Sequence, residues 1–446
     1  MDQILSNAPE YTVPSAPEHP VAPVPGRPRQ ASYSFDVVII GAGPAGSTLA
    51  RLLSSSFRVL LLDSPQEAPG IGGKLCGGLL APDAQRMLAH FSLSLPRDIL
   101  VDPQIFSVHT VDIGTGQTRD YPRAYVNVDR QKFDRWLVSL IPSRVTVLPA
   151  RAVAIRRTGS GWCVTVRRES ASTSADAAAD QENLPSGAKA VSRPGPDPTN
   201  GAKEEYFTRC IVGAEGANSL VRRTLAPHTP IRTYLAIQEE FPATGSTAPQ
   251  YACVFDRATS DCYSWLLCKN GTVLRGGAFS PAGCRKAFRE QTARTEAILG
   301  AFPPPHRTRA CLVRRPRSLR EIVPGGDNAF LIGEAAGWIS PSSLEGISWA
   351  MQSAEILADT LNRYATGEGA AVGQEASSSE AKAAPVSDNR RESILFPPHL
   401  GKKFRRALRP MYRRLFLKLC KCPAMYHPLF RRLVMASGIG SITLRK

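Results

Sequence analysis

Long hydrophobic runs are missing from this 446-residue chain. None approaches the roughly 18 to 20 apolar residues needed to cross a bilayer, which argues against a transmembrane helix. Residues 1–34 are rich in Pro and Ala and hold no apolar core of the kind a secretory leader needs. Their acids and sparse Arg argue against an organellar presequence, so they read as a disordered tail. The ten cysteines follow neither a disulfide framework nor metal-ligand spacing, and Cys420 and Cys422 form a lone CxC. A reducing, cytoplasmic setting with no bound metal is therefore expected. Acids are absent from residues 401–446, which carry thirteen Lys and Arg; of the formal charge of +17, this leaves about +4 for everything before. The basicity belongs to one segment and is not a whole-chain nucleic-acid signature.

What is present alternates. "FDVVIIGAG" and "FRVLLLDS" are short, β-branched apolar runs consistent with buried parallel strands, and "PAGSTLARLLSS" between them reads as a helix. Residues 170–204 are too poor in large apolar side chains to offset chain entropy and read as a disordered insert. Its flanks, "GWCVTVRRE" and "EYFTRCIVGAEG", read as neighbouring strands. From 231 the pattern changes to short aromatic runs broken by turns, "YACVFDR", "CYSWLLCKN" and "TVLRGGAFS", as in an antiparallel sheet. A strand and helix return in "NAFLIGEAAG" and "GISWAMQSAEILADTLNRY". The expected division is 35–230 for a nucleotide-binding unit, 231–308 for a second sheet, 309–365 for the rest of the first unit, 366–396 for a linker and 397–446 for a basic helical segment.

Gly41, Gly43 and Gly46 form GxGxxG between the first strand and helix, with Ala45 inside the turn. Glycine allows the backbone to approach a pyrophosphate, and the helix N-terminus offers free N–H groups and partial positive charge. Asp63 ends the next strand, where a carboxylate can accept ribose hydroxyls. This motif alone does not separate NAD from FAD. A second strand-to-helix junction, "FLIGEAAGWISPSSLEGISWAM", presents Gly333 and Glu334 and then opens a helix at Gly346 and Ile347. A carboxylate there suits ribityl hydroxyls, which NAD lacks, so the pair of turns points to FAD.

These residues resemble the two-motif FAD site of the p-hydroxybenzoate hydroxylase-like flavoproteins, with Glu334 where that family has Asp. "VGAEGANSLVRR" resembles its third fingerprint, with Glu215 again replacing Asp, and leaves Arg222 open between a phosphate-side contact and a structural ion pair. Arg130, in "VNVDRQKFDRWL", stands where the family has an arginine reaching FAD; a guanidinium forks onto a pyrophosphate. From Phe35 to about Arg363 the chain looks most like the geranylgeranyl reductase branch. Within that branch, "GGKLCGGLLAPDAQ", "PQIFSVHTVD", "AEGANSLVRR", "CYSW" and "FLIGEAAG…SSLEGIS" are especially similar to CbrA-type flavoproteins. The resemblance implies an α/β fold: a Rossmann-like FAD-binding domain with an inserted antiparallel substrate-side sheet. It also places Lys74, Cys76 and Gly77 beside the isoalloxazine ring, with Cys76 read either as a structural thiol or as a proton donor or redox partner. Tyr263 and Trp265 match the branch's Tyr-x-Trp segment on the substrate side, while Leu267 and Cys268 depart from it. They read either as the wall of an apolar cavity or as plain sheet core. Halogenases resemble Trp-x-Trp, and only one Trp is present here.

The implied activity is FAD-dependent reduction of carbon–carbon double bonds in an isoprenoid or other apolar substrate. NAD(P)H or another carrier would dock transiently, since only one GxGxxG is visible. An FAD monooxygenase and a non-enzymatic flavoprotein sensor at the membrane surface are the alternatives. In the basic segment, Leu408, Tyr412, Leu415 and Leu419 fall on one helical side, with Pro410 interrupting the first turn. That pattern suits either an anionic membrane surface, giving a peripheral location, or a helix docked on the core. A nucleic-acid partner has no reader motif behind it.

Overall fold

The computed structural model describes residues 34–64, 75–159, 161–168, 203–243, 249–365, 396–397 and 399–442. The tail, the insert at 170–204, the linker at 366–396 and Lys74 lie outside these residues, apart from positions 34, 203, 204 and 396 at their edges.

Two eight-stranded sheets organise the chain. In the first, β1 (Phe35–Ile40), β2 (Val59–Leu62), β6 (Thr146–Leu148), β9 (Lys203–Gly213) and β16 (Ala329–Leu331) run parallel, in the order β16-β9-β1-β2-β6. Val37, Val38 and Ile39 of β1 are fully buried, which is why this strand reads as a continuous apolar run without alternation. β15 (Gly325–Gly326) extends one edge, and β8 (Gly161–Arg168) and β7 (Ala150–Thr158) add antiparallel strands beyond β9. The described end of β8 and start of β9 face each other at Arg167 and Lys203.

The second sheet comprises β3 (Leu79–Leu80), β4 (Ile105–Asp112), β5 (Gln117–Asn127), β10 (Thr233–Pro242), β11 (Tyr251–Phe255), β12 (Tyr263–Lys269), β13 (Thr272–Phe279) and β14 (Arg307–Arg314), in the order β14-β10-β13-β12-β11-β4-β5-β3. This corrects the expected division. Residues 105–127 belong to the second sheet because β4 pairs parallel with β11, Ala252 opposite His109, and β14 carries that sheet on to Arg314. Contiguity along the chain suggested otherwise, but strand pairing is set by long-range register.

The helices are α1 (Pro44–Leu52), α2 (Pro82–His90), α3 (Arg130–Ser139), α4 (Leu220–Leu225), α5 (Cys284–Leu299), α6 (Gly333–Ala336), α7 (Ile347–Ala365), α8 (Leu400–Ala407), α9 (Arg409–Tyr426) and α10 (Pro428–Ser437). α1 and α7 pack together against the parallel sheet through Leu49, Ala50, Ala354 and Leu357. The basic segment is thus three helices rather than one. Pro410 sits in the first turn of α9, where its missing N–H costs nothing.

The side bearing Leu408, Tyr412, Leu415 and Leu419 faces the core. Leu408, Met411 and Leu415 are fully buried, each contributing about 1.5–3 kcal/mol. Tyr412 lies edge-on to Trp338, 5.0 Å between centroids, and Arg414 covers Trp349 at 3.9 Å. The two indoles stack nearly parallel beneath them. Among the described residues no helix is long and apolar enough to cross a membrane.

Candidate cofactor and substrate site

The first glycine turn is built by close approach. A Cβ on Gly46 would fall 1.8 Å from the Gly41 carbonyl oxygen, so only glycine lets α1 start this close to β1. Gly43 is the opposite case: a Cβ there would meet nothing within 4 Å, because its open side faces a cavity. α1 begins at Pro44 without a side-chain cap, leaving the helix N-terminus turned to that space.

The second turn meets the first. Gly333 has φ of +56°, and a Cβ on it would lie 3.0 Å from the Ala45 Cβ and 3.5 Å from that of Ala350. Its N–H donates to Ser353 Oγ at 2.9 Å, tying α6 to α7. Two junctions almost 300 residues apart in sequence are therefore in contact.

Both turns border a cavity of ≈ 870 Å³. Of the sequence-predicted residues, Gly43, Ala45, Cys76, Gly77, Arg130, Glu334, Gly346 and Ile347 line it, with Tyr263 and Trp265 on the facing sheet. Gly41, Gly46 and Gly333 stand behind the lining as supports. Asp63 follows β2, half-buried and not part of the cavity lining, its N–H bonded to the Leu148 carbonyl at 2.9 Å. Burial, reinforced by Asp134, raises its carboxyl above the ordinary value.

Arg130 begins α3, whose N-cap Asp129 accepts from the Gln131 and Lys132 amides. Its Nε donates to Asp134 at 2.8 Å. Burial works against the charge, but Asp134 and the neighbouring Cys76 thiol outweigh it, so its pKa lies above the ordinary guanidinium value. Nη2 is buried with no hydrogen-bond partner among the described residues. An unpaired buried donor is costly, and a phosphate oxygen in the cavity would satisfy it.

Glu334 reaches as far as its longer side chain requires: one carboxylate oxygen accepts the Arg314 N–H at 2.8 Å. Arg314, not foreseen from sequence, also donates to the carbonyls of Ala217 (2.8 Å) and Ala335 (3.1 Å). Burial lowers its pKa to about 10 despite Glu334 and Glu215. Glu215 is spent on its own turn, accepting from the Ser219 hydroxyl at 2.6 Å and the Leu220 amide at 2.9 Å. Arg222 also bonds backbone, a role the sequence did not suggest. Buried, it donates to the carbonyls of Glu321 (2.7 Å) and Ala336 (3.0 Å), which makes it a backbone clamp between α4 and α6.

The facing wall is aromatic. Tyr251 and Tyr125 meet edge to face at 5.7 Å, and Tyr263 lies 6.2 Å from Trp265. Burial pushes the Tyr125 phenol up to about 12 and the Tyr251 and Tyr263 phenols well above their usual value. Tyr263 thus belongs to the cavity wall, and Tyr251, Cys253 and Phe255 join it at every second position of β11. That alternation is visible in "YACVFDR", but only the fold says which side it faces.

The loop between α6 and α7 lines the cavity with Ser342, Ser343, Leu344 and Glu345. Leu344, with φ of +53°, lies in a left-handed conformation that costs a non-glycine residue about 1–2 kcal/mol. The loop is held by Tyr263 Oη on the Ser343 carbonyl (2.8 Å) and by Tyr426 Oη, from α9, on the Ser342 carbonyl (2.6 Å). Glu345 follows, lining the cavity and accepting from Ser348 Oγ at 3.0 Å, and burial raises its carboxyl above the ordinary range.

Compared with known proteins, the chain is 38% identical over 410 residues to Protein CbrA of Escherichia coli O6:H1, covering 92% of this chain and 94% of that one. Protein CbrA of Shigella sonnei is 37% identical over the same length. The chain belongs to the CbrA family. No protein-family model matches it. Among solved structures, a geranylgeranyl bacteriochlorophyll reductase-like protein from Thermoplasma acidophilum superposes with a TM-score of 0.62 at 14% identity, over 90% of this chain and 98% of that one. PqsL, a probable FAD-dependent monooxygenase from Pseudomonas aeruginosa, gives 0.55 at 16% identity over 90% and 98%. The flavin-dependent brominase Bmp2 gives 0.55 at 14% over 91% and 93%. This CbrA-family chain has the fold they share: the α/β, p-hydroxybenzoate hydroxylase-like architecture expected from the sequence.

Proposed function

We propose that this chain is an FAD-dependent oxidoreductase that reduces carbon–carbon double bonds of an isoprenoid or other apolar substrate. The observation behind it is one cavity bordered at one end by both glycine turns and at the other by aromatic and aliphatic side chains. The residues present fit FAD: the orphaned Arg130 Nη2 and the open face at Gly43 suit the pyrophosphate. Asp63 suits ribose hydroxyls and Glu334 the ribityl chain. Cys76 and Gly77 would border the ring. When bound, FAD supplies two-electron chemistry, taking a hydride equivalent from NAD(P)H or another carrier and delivering it to carbon.

The chain's own groups do the rest. Tyr125, Tyr251 and Trp265 exclude water and wall an apolar substrate. Reduction of a double bond also needs a proton, and Glu345, a carboxyl that lines the cavity and that burial raises above its ordinary value, is the group placed to deliver it. A monooxygenase is the second reading, favoured by the likeness to PqsL. The test is anaerobic turnover of a prenyl lipid by the reduced, flavin-loaded protein. A saturated product without oxygen supports the reductase. Strict oxygen dependence with a hydroxylated product overturns it in favour of the monooxygenase. Failure to take up FAD overturns both.

A further inference from the structure

We propose that the outer face of α9 and α10 is a docking surface for an anionic lipid bilayer, and that the cavity opens onto it. Eight of the thirteen large apolar side chains exposed among the described residues lie between Phe416 and Ile442. Single exposed leucines are ordinary; such a cluster is a binding surface. Leu417 is 67% exposed, Leu433 59% and Ile439 78%, with Leu429 and Phe430 beside them in sequence.

These helices are fixed by their other faces. Leu415 and Met435 are buried. Arg431 is buried against Asp112 at 2.8 Å and lies over the Phe255 ring at 4.8 Å. The side that faced the core was the one the sequence pattern marked, and the exposed side is a second apolar stripe. Exposed Arg413, Lys421 and Arg432 are interleaved with it, and residues 401–446 contain no acid. Apolar side chains interleaved with these cations complement an interface of acyl chains and anionic headgroups. A nucleic acid would be served by the cations without the leucines.

Val434 and Ile439 are both exposed and part of the cavity wall, with Lys418 and Lys421 alongside. A molecule dissolved in the bilayer would therefore reach the cavity without crossing water. This route rests on the proposed apolar substrate; docking on lipid does not.

The experiment is co-sedimentation of the full-length protein with vesicles of phosphatidylcholine alone or mixed with phosphatidylglycerol. Binding to the mixed vesicles, weakened by salt, is expected. Leu429→Asp with Leu433→Asp should lower it at least roughly tenfold, since each leucine otherwise gains contact with lipid. Arg413→Glu with Arg432→Glu should abolish the preference for anionic lipid. All four positions are exposed, so melting temperatures should not move. No sedimentation of the unaltered protein with mixed vesicles overturns the proposal, as do variants that bind like it. Light scattering gives a third refutation: a dimer that Leu433→Asp dissolves would mean that a second copy covers the face.

For the route, Val434→Trp should slow turnover of a vesicle-embedded prenyl lipid more than that of a short soluble analogue. Equal slowing refutes it. Vesicle binding without flavin uptake would sink only the proposed function; flavin uptake without vesicle binding would sink only this surface.

Discussion

Replacing Gly43 by alanine separates the ligand from the scaffold. Gly43 has φ of −68° and ψ of −173°, a conformation alanine adopts freely, and a methyl there would meet no protein atom within 4 Å. The unfolded chain loses freedom, so the ligand-free protein should become more stable by about 0.4–1 kcal/mol. The methyl would instead occupy the space where backbone approaches the pyrophosphate. Losing one charge-assisted hydrogen bond costs about 1.5–3 kcal/mol, or roughly ten- to a hundredfold in FAD affinity. Gly46→Ala is the contrast, since its methyl would overlap the Gly41 carbonyl oxygen and must distort the turn itself. Thermal melting of the ligand-free proteins and fluorescence titration with FAD give the two readouts. If Gly43→Ala binds FAD as tightly as the parent, or melts several degrees lower without ligand, the cofactor placement is wrong.

Arg130→Met should weaken FAD binding by about 2 kcal/mol through loss of the fork onto phosphate, measured by the same titration. Leu415→Ala, at a fully buried position on α9, should cost about 2–5 kcal/mol in urea denaturation and leave a single transition. Two transitions would show that the basic helices are not part of the core. Lys269, half-buried with Nζ 2.5 Å from the Val128 carbonyl, has its pKa lowered to about 8 by burial, against Cys76 and Asp129. The unfolded lysine stays protonated to about pH 10.4 and so binds more protons between those values. Stability relative to Lys269→Met should therefore rise from pH 8 to 10, by no more than about 2.7 kcal/mol. A flat difference would place the amine in water.

The parallel sheet was legible because both faces of β1 are covered, so its sequence is apolar throughout, and because glycine spacing marks where helices begin. The two turns could be named, yet their contact through Gly333 and Ala45 lies in three dimensions. The second sheet was half legible. Alternation marks β11 and β12, but the recruitment of β4 depends on a parallel register with residues far downstream. The carbonyls that Arg222 clamps were not legible for a local reason: the motif around it does not reveal which acceptors will be near. In the C-terminal helices the pattern Leu408, Tyr412, Leu415 and Leu419 was visible, but its partner is the Trp338–Trp349 pair. Glu345 and Arg314 carried no spacing signal and needed the fold.

The strands of the two sheets are interleaved along the chain, from β1 at Phe35 to β16 at Leu331, so no single cut separates one sheet from the other. Neither half can be expressed as an autonomous fragment, since any piece ending before β16 would expose the flank of β9 as an unpaired edge. A molecule gripping both glycine turns would then act as a clasp between the beginning and the close of the assembled body. It should make unfolding more cooperative as well as more costly.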